Sequence, residues 1–507
     1  MSTRSLFIKT LSFLFCLIIS SAAHLAAEVR LPRLFGESMV VQQQAWVPVW
    51  GWADPGEKVT VELMGGSASA VADENGKWKI SLPPMNAGAG PYELKVTGRN
   101  TIVIGNVAVG EVWLCSGQSN MAMTVRRCLN SEAETAAADW PLIRQFQVKR
   151  GKSLEPLGDI PVGEDEKSWL SIWRPCSPET VGSFTGAGYF FARSLHRTLG
   201  VPIGLIHSSW GGTTAEAWTR RGWLGSDPEL KRILDSWPGY NYDESWLTEE
   251  YEKYLAKLDE ARSAGTEKPI YFNCPSVLYN SMIAPLIPYA IRGVIWYQGE
   301  SNAGRAAQYG KLFPSMIRNW RADWAQGDFP FLFQQLVNFR NGGSVWPDLR
   351  EAQGRALSLP NTGMAVGIDI GDPGDVHPKN KQEVGRRLAL VARAKVYGEK
   401  VLCSGPLFKC LKVEGEKCRV SFCYPGDGLV AKGGSALKWF QVAGADKKFI
   451  EGEARIEGNE VVVWSEQVKK PVAVRYAWAD NPEGCNLWNT VDGKAWLPAA
   501  PFRTDDW

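Results

Sequence analysis

One serine, a few histidines and several glycine- and amide-bearing turns are the residues of this chain whose types and spacing could do chemistry. Ser119 lies in Glu111-Val-Trp-Leu-Cys-Ser-Gly-Gln-Ser-Asn-Met121, where Val112–Cys115 reads as a short buried strand that breaks at Ser116-Gly117. A strand that stops and turns presents its turn residue at the carboxyl edge of the sheet, where open α/β folds bind ligands. A serine there can be a nucleophile if a base takes its proton and N–H donors receive the oxyanion. The stretch also fits an ordinary strand-to-helix turn with a solvated serine. Gly-x-Ser alone is weak, because Gly433-Gly-Ser435 and Gly65-Gly-Ser67 share it. Met121 in the fifth position excludes the nucleophile elbow of the α/β-hydrolases.

A nucleophilic serine needs a base, usually histidine. His196 falls in the last turn of a helical pattern, where the helix dipole alone favours it. His207 ends the strand pattern Pro202–His207 and also reads as a strand-end residue satisfied by a neighbour. His377 lies in Gly371-Asp-Pro-Gly-Asp-Val-His-Pro378, after the last strand of the α/β region, which places it at the same sheet edge as Ser119. It is the best base, with Asp372 and Asp375 close enough to orient it. The loop's Asp, Gly and Pro content also suits a purely conformational turn. Oxyanion donors would come from other strand ends: Gly211-Gly212, whose backbone can approach a ligand closely, and the side-chain amides of Gln298 and Asn302.

The elements that must position these groups fall into three regions. From Glu28 to Asn106, short alternating strands punctuated by Asp54-Pro-Gly56 and Glu74-Asn-Gly76 predict a β-sandwich of immunoglobulin size. From 107 to 398, strands at Val112–Cys115, Pro202–His207, Gly293–Tyr297, Phe329–Leu336 and Met364–Ile370 alternate with helices at Gly188–Thr198, Ser276–Ile287, Ala303–Ala325 and Lys381–Val396. That alternation predicts an α/β domain, a parallel sheet with helices on both faces. A charged insertion at 227–265 carries Leu247, Tyr251, Tyr254, Leu255 and Leu258 on one helical face and is expected to pack beside the domain. From 399 to 507 strand patterns return as a second β-rich module.

At 507 residues the chain is long enough for two or three domains. A hydrophobic share of 45%, a charged share of 22% and a net charge of +2 without basic blocks describe a globular protein and exclude nucleic acid as the expected partner. The 23 tryptophans belong mostly to cores, yet exposed indoles stack on sugars, which favours carbohydrate mildly. Arg4 and Lys9, the apolar Leu11–Ile19 and the small residues to Ala27 have the order of a secretory signal peptide over 1–27, cleaved after Ala23 or Ala27. A secreted or periplasmic protein is expected, with no membrane attachment after cleavage. Nine cysteines then remain, and Cys403, Cys410, Cys418 and Cys423 are the best disulfide candidates. No cysteine-histidine spacing suggests a metal site.

Gly117-Gln-Ser-Asn-Met121, Ser209-Trp-Gly-Gly-Thr213, Trp296-Tyr-Gln-Gly-Glu-Ser-Asn302 and Asp375-Val-His-Pro378 resemble the blocks of the sialate O-acetylesterases, members of the SGNH-hydrolase superfamily. Leu278–Ile283, Leu349–Gln353, Arg475–Asp480 and Met39–Trp52 resemble them as well, so the likeness covers nearly the whole mature chain. The resemblance implies a flavodoxin-like sheet and a serine esterase, without cofactor or metal, that removes O-acetyl groups from sialic acid. It makes Ser119 the nucleophile, His377 the base, and Ser119 N–H, Gly212 and Gln298 the oxyanion hole, with Asn302 competing with Gln298. Gly374 stands where the superfamily often has its aspartate, which leaves Asp375, Asp372 or a backbone carbonyl to orient His377. Arg144 and Arg305 are candidates for the sialate carboxylate. The alternatives are an acetylesterase for other polysaccharides such as xylan, and a noncatalytic carbohydrate-binding protein. Oligomeric state is not legible.

Overall fold

The computed structural model describes residues 28–161, 170–237, 245–266, 268–340, 343, 345–434 and 436–507, with side chains left out at 245–248 and 250. The expected signal peptide lies outside the described residues. In the N-terminal module, β1 (Val40–Gln42), β2 (Val47–Trp52), β3 (Lys58–Leu63), β4 (Gly66–Val71), β5 (Lys77–Leu82) and β6 (Gly88–Thr97) are short strands. Buried residues alternate along β2, β3 and β5, so each strand turns one face to a core. β2 pairs with β5 in one layer, and β3 pairs with β4 and β6 in the other.

The next strand, β7 (Thr101–Gly117), is 17 residues long and crosses the boundary expected at 106/107. Its first half pairs antiparallel with β6, and its second half enters the central sheet. Asn106, at φ 53°, falls at an irregularity in the β6 ladder, between the Leu94–Ile104 and Tyr92–Val107 pairs, and pairing with the central sheet begins at Glu111. The two modules therefore share one continuous backbone strand.

The α/β region continues with α1 (Ser119–Ala122), α2 (Ser131–Ala136), β8 (Trp140–Gln147), β9 (Trp173–Cys176), α3 (Gly186–Leu199) and β10 (Ile203–Ser209). It goes on through α4 (Arg221–Ser226), α5 (Pro228–Asp235), α6 (Ser245–Ala264), β11 (Gly293–Tyr297) and α7 (Ala306–Trp324). It closes with β12 (Phe331–Gln334), α8 (Trp346–Gly354), β13 (Thr362–Ala365) and α9 (Lys381–Lys395). The sheet order is β13-β12-β11-β7-β10-β8-β9, parallel except for the β8–β9 edge pair. Without that edge hairpin, β10-β7-β11-β12-β13 is the flavodoxin-like order 2-1-3-4-5. Side chains alternate across the sheet. Trp113 of β7 packs on Phe191 of α3 with centroids 5.0 Å apart. Trp296 of β11, in register with Ser116, packs on Phe313 and Trp320 of α7 at 6.2 and 5.8 Å. Both faces are thus covered by helix.

Between Leu407 and Arg503 the described residues form three antiparallel sheets of four, three and four strands. The structure corrects three expectations. Ser276–Ile287 is no regular helix but a π turn at Tyr279–Ile283 and a 3-10 turn at Ala284–Leu286, because Pro285 has no N–H to continue an α-helix. The β8–β9 hairpin, unforeseen, adds an edge to the sheet. All nine described cysteines are unpaired. Cys410, Cys418 and Cys423 lie on adjacent strands, but their cross-strand partners are Ser421, Val413 and Leu407, so no two of them face each other.

Candidate active site

Ser119 is the first residue of α1, half-buried, just beyond the carboxyl end of β7. The turn before it is fastened on both sides. Trp210 N–H donates to Gly117 O at 3.1 Å, and Gln118 N–H donates to Tyr297 O at 3.0 Å. Gly117 has φ 132°, and a Cβ there would come within 2.1 Å of Tyr297 O, so only glycine lets the chain turn this close to β11. The Ser119 turn thereby sits at the switch point between β10, β7 and β11, where this sheet order opens a crevice.

The loop after β10 closes one side. A Cβ on Gly211 would lie 3.2 Å from Ser119 Cβ, so Gly211 rests directly on the serine. Gly212 adopts φ 73°, and its carbonyl accepts from Asn273 Nδ2 at 2.8 Å. Neither Ser119 N–H nor Gly212 N–H has a hydrogen-bond partner among the described residues. Both backbone donors are thus unengaged in the two turns that meet at Ser119.

His377 lies in the loop between β13 and α9, which Asn120, next to Ser119, joins through Val376 O. Asp375 Oδ1 accepts the His377 backbone N–H at 2.8 Å and lies 3.2 Å from the ring Nδ1. Asp372 instead caps Gly374 N–H at 2.8 Å. Of the two aspartates, Asp375 is therefore the one that meets the imidazole. The imidazole is 30% exposed and Asp375 47% exposed. Burial, aided by the cations Lys381 and Arg127, holds the imidazole below its ordinary basicity, and Asp375 opposes them only in part. No hydrogen bond joins Ser119 Oγ to His377 among the described residues; such bonds commonly tighten only when substrate is bound.

A buried network ties the two loops together. Asn120, next to the serine, donates through Nδ2 to Val376 O at 2.9 Å and to Glu300 Oε1 at 2.6 Å. Lys381 Nζ donates to Asn120 Oδ1 at 2.7 Å and to Pro378 O at 2.6 Å.

Gln298 and Asn302 both lie near the Gly212 loop, with their amides turned inward. Gln298 Nε2 donates to Thr213 O at 3.1 Å and to Asn302 Oδ1 at 2.7 Å. Asn302 Oδ1 also accepts Ala215 N–H at 2.9 Å, and its Nδ2 donates to Glu216 Oε2 at 3.0 Å. They brace the loop that carries Gly212. Arg144 is 3% exposed and grips Met39 O and both oxygens of Asn106, in the part of β7 that pairs with β6. Arg305 is paired with Glu216 at 2.6 Å. His196 Nδ1 bonds Val201 O at 2.8 Å beyond the end of α3. His207 is buried against Ser209 Oγ at 2.6 Å, and burial pushes its pKa down to about 3.

Sequence reasoning missed Asn120, Glu300 and Lys381, whose only signal was adjacency to singled-out residues. It also missed a pair beside the loop, exposed Arg150 and half-buried Trp210. Arg150 Nε donates to Ser209 O at 3.3 Å, and its guanidinium lies 5.7 Å from the ring centre of Trp210, which stacks on Phe272 at 5.8 Å.

Residues 109–393 match the family model described as carbohydrate esterase, sialic acid-specific acetylesterase. The mouse protein named sialate O-acetylesterase is 32% identical over 92% of both chains, and the human one is 30% identical over 93% of this chain and 92% of its own. A crystal structure described as a novel carbohydrate acetylesterase from Xanthomonas citri superposes with a TM-score of 0.81 at 39% identity. The alignment covers 94% of this chain and all of that one. A flavodoxin-like sheet with this serine turn and these relatives defines a carboxylic ester hydrolase acting on carbohydrate. Within that class, the chain belongs to the sialic acid-specific acetylesterase family.

Proposed function

We propose that the protein is an exported serine esterase that removes O-acetyl groups from sialic acid, with Ser119 as nucleophile and His377 as general base and acid. The observation that carries the chemistry is the convergence on Ser119: Gly211 rests against it, and Asn120 bonds Val376 O in the loop that holds the Asp375–His377 pair. With Nδ1 held by Asp375, Nε2 takes the Ser119 proton as Oγ attacks the acetyl carbonyl carbon. The tetrahedral oxyanion rests on the N–H groups of Ser119 and Gly212. His377 then returns the proton to the sugar oxygen, the C–O bond breaks, and acetyl stays on Ser119. Water, deprotonated by the same imidazole, releases acetate in a second cycle.

Ser119→Ala should fold and lose activity by several orders of magnitude, and a fluorophosphonate probe should label Ser119 alone. Substantial turnover by the folded variant would place the nucleophile elsewhere, and an unlabelled wild-type protein would favour a binding role.

The choice of sialic acid is supported by the names of the mammalian relatives and by Arg150, an exposed guanidinium beside the Gly211–Gly212 loop that can meet a carboxylate, with Trp210 as an apolar wall. Acetyl esters on other polysaccharides are the second reading, favoured by the likeness to the Xanthomonas carbohydrate acetylesterase. Acetate release from O-acetylated sialic acids and from acetylated xylan, compared by kcat/KM, decides between them. Export is read from residues 1–27, and a mature amino terminus at His24 or Glu28 would bear it out.

A further inference from the structure

Lys381 breaks two rules at once. It is the first residue of α9, at the positive end of the helix dipole, where a cation is disfavoured. It is also 0% exposed, and burying an ammonium is unfavourable without close compensation. Its hydrogen bonds at 2.7 and 2.6 Å go to neutral oxygens, Asn120 Oδ1 and Pro378 O, while the ring of Tyr297 lies 5.4 Å from Nζ. A residue that violates local preference in this way is expected where function requires it.

The two oxygens that Lys381 holds are the informative part. Asn120 follows the nucleophile directly, and Pro378 follows the base. Asn120 also bonds Val376 O, on the other side of His377. The histidine is thus gripped at both flanking residues from one buried centre. We infer that Lys381 is a positioning residue, fixing the His377 loop against the Ser119 turn through Asn120 and Pro378. This rests on the reading of Ser119 and His377 as nucleophile and base.

The same cation acts on the imidazole through space. His377 faces Asp375 on its own loop, Lys381 of α9 and Arg127 beyond α1. Lys381 in turn faces Cys128, Glu300, Asp375 and Arg127, and burial pushes its pKa down to about 7. A positive Lys381 favours the unprotonated imidazole, the form that can accept the serine proton.

Lys381→Met tests the assignment, since it keeps an unbranched chain of similar length and removes both the bonds and the charge. We expect kcat to fall roughly 10- to 100-fold with KM little changed, the size of effect produced by misplacing a reacting group by about an ångström. The acidic limb of kcat/KM should move to higher pH, because loss of the cation raises the pKa of His377. A purely structural role would lower the melting temperature and leave kcat per folded molecule and that limb unchanged. Lys381→Arg, which keeps the charge, should leave the limb near its wild-type position.

If Lys381→Met does not fold, Asn120→Ala cuts the same link from the serine side and should lower kcat comparably at unchanged KM. A folded Lys381→Met enzyme with kcat within about twofold of wild type and an unmoved limb would overturn the inference. Wild-type kcat in folded Asn120→Ala would do so where the lysine variant cannot be made. Failure of the underlying reading looks different: Ser119→Ala would then keep its activity whatever Lys381 does.

Discussion

Asp375→Asn is the most informative single substitution in the Asp–His pair. A fully buried triad aspartate loses about 10⁴ in kcat on this change, because the histidine loses both its charge partner and its correct tautomer. Asp375 is differently placed: its Oδ1 lies 3.2 Å from His377 Nδ1, but the side chain is 47% exposed. Two unit charges at that separation attract by about 5 kcal/mol at an effective dielectric constant of 20, and by about 1.3 kcal/mol in bulk water. With nearly half of the carboxylate in solvent, the lower end applies. Its backbone bond to His377 N–H, at 2.8 Å, is one that asparagine's oxygen can also accept. We therefore expect Asp375→Asn to lower kcat/KM by roughly 10- to 100-fold, about 1.4 to 2.7 kcal/mol.

The pH profile carries a second sign. Asp375 raises the pKa of His377, so its neutralisation should shift the acidic limb to lower pH, opposite to Lys381→Met. The assay is hydrolysis of an aryl acetate from pH 4 to 9, with Asp372→Asn as control. A loss near 10⁴ would show that solvent exposure does not weaken this pair. An unchanged rate and limb would remove Asp375 from the site.

Three further outcomes follow from the geometry. Gly211→Ala places a methyl group 3.2 Å from Ser119 Cβ and should displace the serine by a few tenths of an ångström, lowering kcat about three- to tenfold with little change in melting temperature; unchanged kcat would mean that the loop gives way instead. Arg150→Gln should raise KM for O-acetylated sialic acid about five- to tenfold, the loss of one solvent-exposed charge-assisted bond, and leave KM for a neutral acetylated sugar alone; an equal effect on both would deny Arg150 a carboxylate. His207 has a folded-state pKa of about 3 against an ordinary 6.5, so its contribution to stability is complete above about pH 6.5 and disappears as pH falls toward 3. Urea unfolding across that range should show a shallower pH dependence in His207→Phe, and an identical slope would show that His207 is not an acid-sensitive group.

The sequence alone carried what depends on local pattern. The strand at Gly293–Tyr297 and the helix starting at Lys381 have the predicted bounds or begin where expected, because apolar period and helix-start chemistry are read over a few neighbours. The alternation of strand and helix implied the parallel sheet, and that sheet's carboxyl edge brings Ser119, Gly212, Gln298 and His377 to the same side. Tertiary structure decided the rest. The β8–β9 pair is an edge addition with no turn signal of its own, and the passage of β7 into the central sheet depends on partners, β10 and β11, that lie far away in sequence. Which aspartate meets His377 depends on how Gly374 N–H engages Asp372 and so turns the loop. Arg144 and Arg305 are candidates for a carboxylate on sequence alone because sequence does not show where a guanidinium is already satisfied; the fold gives Arg144 to Asn106 and Arg305 to Glu216. Lys381 is the sharpest case. As sequence it is a lysine near the start of a helix, which solvent would ordinarily claim, and only the packing of α9 beneath the serine turn removes that solvent and leaves Asn120 and Pro378 as the oxygens its ammonium can reach.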